Sequence, residues 1–148
     1  MHPNPLVVEV FYPVAIEQVW TAITRYEAMK QWYFDVPGFT AEPGCAFSFA
    51  GGPPNGPRYI HLCTVMEVLE PYKLSYTWRY DGYEGNTLVT FELFTEANGT
   101  RLRLTHEGLH SFPESNPDLA RHNFETGWQH IIGTSLFRFL THSGGNEG

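Results

Sequence analysis

The chain has 148 residues, 42% of them hydrophobic and 17% charged, which fits one folded domain with a sizeable core and excludes a disordered chain. Its 9 Lys and Arg against 16 Asp and Glu give a formal charge of −7, so nucleic acid and anionic membrane surfaces are electrostatically poor partners. No run approaches the roughly 20 apolar residues of a membrane span, Met1-His2-Pro3 lacks the basic start of a signal peptide, and Cys45 and Cys63 are too few for a secreted disulfide framework; a soluble, cytoplasmic protein is expected.

Val7 to Tyr12 is β-branched and aromatic and predicts a first strand. Ile16, Val19, Trp20 and Ile23 then recur at the spacing of one helical face, and Tyr26 to Trp32 predicts a second short helix. Pro37-Gly38 and Pro43-Gly44 mark turns before a strand over Cys45 to Ala50. The Gly51 to Pro57 stretch is a loop. It leads into a strand and lacks the Gly-Lys-Ser/Thr and following helix of a phosphate cradle.

Strands are predicted over Tyr59 to Leu69, Leu74 to Arg79 and Thr87 to Thr95, with Asn98-Gly99 as the two-residue turn into a last strand, Thr100 to His106. Alternation puts Leu74, Tyr76 and Trp78 on one face, as it does Val89, Phe91 and Leu93, and Leu102, Leu104 and His106. Asn116-Pro117-Asp118 carries a capping residue, a proline and an acid, and predicts the start of a long helix running to about Thr141. At 100° per residue, Phe124, Trp128, Ile131, Ile132, Ser135 and Phe139 fall on one stripe, which must lie on the sheet. One domain over 1–148 is expected, its core at about 7–141 and a flexible tail at 142–148.

This order of elements resembles the START-like superfamily known as SRPBCC. Within it, the chain is most similar to the family named for the C-terminal domain of the activator of the heat-shock protein 90 ATPase. The likeness is carried by Val19-Trp20, Trp32, Pro43-Gly44 before Phe47 and Phe49, and Val65, Glu67 and Val68 before Pro71. It continues through Leu74, Tyr76, Thr77 and Trp78, Gly99 to Leu102, His106-Glu107-Gly108 and Gly127-Trp128. Two positions depart from the family pattern: Ala15 stands where a proline is common, and Gly44-Cys45 where two glycines are common. The resemblance implies an α+β helix-grip fold, a curved antiparallel sheet of about six to seven strands around a long C-terminal helix, with an internal pocket between them.

The aromatic share of 16% is compatible with a large core or with a lined pocket. The candidate pocket residues are Trp32, Phe47, Phe49, Tyr76, Trp78, Phe91, His106, Phe124, Trp128 and Ile132. Gly127 is expected to let the helix approach the sheet, with Trp128 packing beside it. His61, His106, His110, His122 and His130 have no metal-ligand spacing, so no metal or cofactor is assigned. His122 and His130 fall off the apolar stripe and are expected in solvent. His106 is expected to be a hydrogen-bonded interior residue, with an acid–base pair of Glu67 and His106 as the catalytic alternative. No serine or cysteine has a nucleophile signature, and no catalytic residue is assigned.

The leading expectation is therefore the binding of a small hydrophobic or aromatic molecule. A chaperone-interaction module, by the resemblance, and a cyclase- or hydrolase-type enzyme are the alternatives. Homodimer formation is left open.

Overall fold

The computed structural model describes residues 5–52 and 56–143. Positions 53–55 of the expected loop and 144–148 of the expected tail lie outside the described residues. Six strands are formed: β1 (Leu6–Tyr12), β2 (Ala46–Gly51), β3 (Tyr59–Leu69), β4 (Lys73–Tyr80), β5 (Thr87–Glu96) and β6 (Gly99–Glu107). They make one antiparallel sheet in the order β1-β6-β5-β4-β3-β2. Alternation sorts the faces. Thr100, Leu102, Leu104 and His106 point inward from β6, and Phe47, Phe49 and Gly51 from β2.

Two helices, α1 (Ile16–Thr24) and α2 (Tyr26–Trp32), follow the first strand. Helix α1 buries Ile16, Val19, Trp20, Ala22 and Ile23, the face its periodicity predicts. Arg25 is extended, at φ −99° and ψ 126°, and separates the two helices. The Trp32 indole N–H donates to the Ala22 carbonyl at 2.9 Å, which fixes the end of α2 against α1.

The turn into β6 is one residue earlier than Asn98-Gly99 predicts. Glu96 pairs with Gly99, so Ala97 and Asn98 form the turn and Asn98 takes the positive φ of 71°. Gly99 serves a close approach instead: a Cβ there would lie 2.3 Å from the Tyr12 carbonyl oxygen.

The C-terminal helix begins later than predicted. Asn116 does cap, accepting the Asp118 N–H at 3.0 Å, but it caps a single 3₁₀ turn, Pro117–Leu119. Ala120 is extended at ψ 149°, and α3 (Arg121–His130) starts after it. The helix continues through a wide π turn (Ile131–Ser135), α4 (Leu136–Arg138) and a second wide turn (Phe139–Ser143). His142 and Ser143, expected in the tail, are thus helical.

Wide i→i+5 turns hold more residues than the 3.6 of an α-helix. Residues four apart therefore stay aligned, and Trp128, Ile132, Leu136 and Leu140 are all buried. Ser135 and Phe139, which a regular period puts on the stripe, sit half-buried at its margin. At the wide turn the Ile132 carbonyl accepts the buried Tyr12 hydroxyl at 2.6 Å, an inserted side-chain contact of the kind that perturbs a helix ladder. Among the described residues no helix is long and apolar enough to cross a membrane.

Candidate functional site

A cavity of about 720 Å³ lies between the end of α2, the ends of β2 to β4, the Pro117–Leu119 turn and the C-terminal helix. Its size falls within the range of small-molecule sites. The aromatic walls are Trp32, Tyr33, Phe34, Tyr59, Tyr80 and Phe124; Asp118, Asn123, Thr126, His130 and Ser135 add polar groups, and His61 faces in from β3.

Each wall follows from local structure. The backbone leaves α2 at Tyr33, so Tyr33 and Phe34 turn inward. The Tyr33 and Tyr76 hydroxyls share a hydrogen bond of 2.6 Å, and Phe34 stacks on Phe49 with ring centroids 4.5 Å apart. In the β2–β3–β4 register, Phe49 pairs with His61 and His61 with Tyr80, while Gly51 pairs with Tyr59. Gly51 leaves room for the His61 ring, whose Cε1 would lie 3.2 Å from an added Cβ.

Gly127 corrects a prediction. A Cβ there would meet nothing within 4 Å, so the glycine does not serve a close approach of helix to sheet. Its missing side chain is open space on the cavity wall.

The two interior histidines are in different situations. Nδ1 of His61 lies 3.2 Å from both the Phe49 and the Tyr59 carbonyl oxygens. Carbonyls only accept, so Nδ1 carries the proton and Nε2 keeps its lone pair. Among the described residues Nε2 has no partner and is not sealed from solvent. Burial lowers the His61 pKa from 6.5 to about 4.

His106 is fully enclosed. The Trp128 indole N–H donates to its Nδ1 at 3.1 Å, and its Nε2 lies 2.8 Å from the Thr87 hydroxyl. That hydroxyl donates its only proton to the Trp78 carbonyl at 2.6 Å, so His106 Nε2 must be the donor to Thr87. The chain is complete and requires neutral imidazole. Burial lowers the His106 pKa from 6.5 to about 3.

Asp118 accepts the Tyr59 hydroxyl at 2.8 Å, and the Asn116 amide donates to the same tyrosine oxygen at 3.1 Å. The late helix start thus places an anchored carboxylate in the lining. Among the described lining residues there is no Lys or Arg.

Of the residues singled out by sequence, Trp32 and Phe124 line this cavity. Phe47, Phe49, Tyr76, Trp78, Phe91, His106, Trp128 and Ile132 do not; all are buried in the core beside it. Their mid-strand and mid-helix side chains meet one another, as where Phe47 packs on Tyr76 at 5.1 Å and Trp78 on Trp128 at 5.4 Å. The cavity opens beyond them, toward the strand ends. The acid–base pair is not assembled: Glu67 lies on the outer surface, 3.2 Å from Lys73, while His106 is enclosed. His122 and His130 are exposed as expected, although His130 borders the cavity. Cys45 and Cys63 are free thiols.

The residues missed were Tyr33, Phe34, Tyr59, His61, Tyr80 and Asp118. For the strand residues a signal existed, since alternation puts Tyr59 and His61 on the face of Cys63 and Val65, and Tyr80 on that of Trp78.

A six-stranded antiparallel sheet closed by a long C-terminal helix, with a cavity between them, defines an α+β helix-grip domain. The chain belongs to the family described as activator of Hsp90 ATPase homolog 1-like protein, which it matches over residues 13–141. Protein MLL2253 from Mesorhizobium loti is similar, with 25% identity and a TM-score of 0.75 over 93% of this chain and 96% of that one. Protein BH1534 from Bacillus halodurans has 27% identity and a TM-score of 0.67 over 88% and 92%. Mll3558 from Rhizobium loti, at 19% identity, shares the fold with a TM-score of 0.78 over 93% and 96%. No match was found among curated proteins.

Proposed function

We propose that the protein binds a small hydrophobic, aromatic-containing molecule in the cavity between the sheet and the C-terminal helix. The observation that carries this is the cavity of about 720 Å³ walled by Trp32, Tyr33, Phe34, Tyr59, Tyr80 and Phe124. Aromatic walls with a few placed polar groups are the usual make-up of a small-molecule site. Packed interiors, by contrast, leave few voids larger than a water molecule.

Trp32 supplies an intrinsic reporter. Titration with naphthyl and indolyl compounds should change tryptophan fluorescence saturably, and native mass spectrometry should show one molecule bound. At a concentration 100 times Kd, binding adds about 2.7 kcal/mol, a rise in Tm of about 5–10 °C for a chain of this size. A panel that moves neither fluorescence nor Tm sinks this reading.

A further inference from the structure

We propose that the occupant of this cavity is a cation: an arylalkyl amine in its ammonium form, its ring between the aromatic walls and its charge at Asp118. The inference names the ligand class for the binding site proposed above and rests on that reading.

Three observations support it. Asp118 is the carboxylate of the described lining, which contains no Lys or Arg to balance it or to hold an anionic ligand. One carboxylate oxygen, Oδ2, is engaged by Tyr59, and Oδ1 has no partner among the described residues. Tyr59 is itself held by Asn116, so the carboxylate is oriented before a ligand arrives.

Second, His61, which faces in from β3, offers another acceptor, while the Tyr80 hydroxyl, which accepts from the Trp78 indole, keeps its proton to donate. His61 Nε2 carries a lone pair because Nδ1 is committed to two backbone carbonyls. A ligand whose polar end donates hydrogen bonds satisfies both acceptors, whereas a carboxylate satisfies neither.

Third, the walls offer aromatic faces, and a cation near such faces is attracted by the ring quadrupole. Among the described residues the Lys and Arg contacts over aromatic rings lie elsewhere, Lys30 over Tyr26 and Arg103 over Phe94, so the lining rings are not occupied by those cations. The formal charge of −7 favours the approach of a cation as well.

The test uses three naphthalenes of similar size: 2-naphthylmethylammonium, 2-naphthylmethanol and 2-naphthoate. They are titrated into the full chain at about pH 8, above the ordinary imidazole range. The ammonium should bind at least about tenfold more tightly than the alcohol, as a charge-assisted hydrogen bond allows, and the carboxylate should bind most weakly. Asp118→Asn should bring the ammonium to within about threefold of the alcohol, whatever its effect on the affinity of the alcohol itself.

Raising salt to about 1 M should shrink the ammonium advantage in the unmodified chain, a readout that needs no variant to fold. Equal binding of ammonium and alcohol, binding of the carboxylate as tight as that of the ammonium, or an advantage that survives Asp118→Asn overturns the charge assignment while the cavity reading stands. Failure of all three compounds to bind removes the cavity reading and the charge assignment with it.

Discussion

Lowering the pH from 7 to 5 tests the two interior imidazoles. His61 and His106 are neutral in the fold, with pKa values lowered by burial from 6.5 to about 4 and about 3. The unfolded chain binds protons at both sites near the ordinary value, so it binds more protons than the fold below that pH. Stability is therefore full above about pH 6.5 and is lost progressively as pH falls toward the folded values. Between pH 7 and 5 each histidine should cost about 2 kcal/mol, and the pair about 4 kcal/mol.

That loss is a large part of the roughly 5–15 kcal/mol that stabilises a typical domain. Urea unfolding at pH 7, 6 and 5 measures it directly. Glu96 is held below its ordinary 4.5 by the Arg101 hydrogen bond, so its contribution is lost only below this window. His61→Phe keeps an aromatic ring against Phe49 and removes one titration. It should lower stability at pH 7 yet reduce the pH 7 to 5 loss by about half. A chain that loses less than about 1 kcal/mol over this interval would falsify the assignment of two buried neutral histidines.

Gly127→Leu should leave the chain folded, because the added side chain enters open space and leucine favours a helix over glycine by up to about 1 kcal/mol. The same side chain occupies the cavity, so the fluorescence response to naphthyl compounds should disappear; unchanged binding would place the site elsewhere. Trp128→Phe should lower the urea-derived stability by about 1–3 kcal/mol, since His106 Nδ1 is then buried without its donor. Trp128→Ala should cost about 3–5 kcal/mol for the emptied volume.

Strands were legible because side chains alternate between the two faces, and Leu74, Tyr76 and Trp78 on β4, Val89, Phe91 and Leu93 on β5, and Leu102, Leu104 and His106 on β6 are all buried. The final helix was legible as a helix but not in its phase. A 100° period selects Ser135 and Phe139, whereas the wide turns bring Leu136 and Leu140 onto the buried line. Nothing local to Ile131–Ser135 announces such a turn, which coincides with a hydroxyl from Tyr12, distant in sequence. Asn116-Pro117-Asp118 reads as a helix start, and only tertiary contact with Tyr59 shows it to be a cavity wall. The aromatic residues named for the pocket are buried apart from the half-buried Phe124. Which of them border empty space depends on where the filling stops along each strand, and alternation carries no information about that.

The boundary between core and cavity runs through Trp128. Its indole N–H is held by His106, which is held through Thr87 to the backbone of Trp78. On its other side Trp128 stacks on Tyr33 at 6.3 Å, and the Tyr33 hydroxyl is tied to Tyr76. The cavity wall at Tyr33 is thus braced by the Tyr33–Tyr76 hydroxyl pair and, through Trp128, by the buried chain of His106, Thr87 and Trp78. Collapse of Tyr33 into the open space would break its bond to Tyr76 and the stack on Trp128, at a cost that a buried, unpaired hydroxyl makes considerable. A wall fixed in this way gives up little conformational freedom when a ligand arrives, which favours affinity from a modest contact area. On the proposed binding reading, His106 acts without touching the ligand: it holds Trp128, on which the Tyr33 wall stacks.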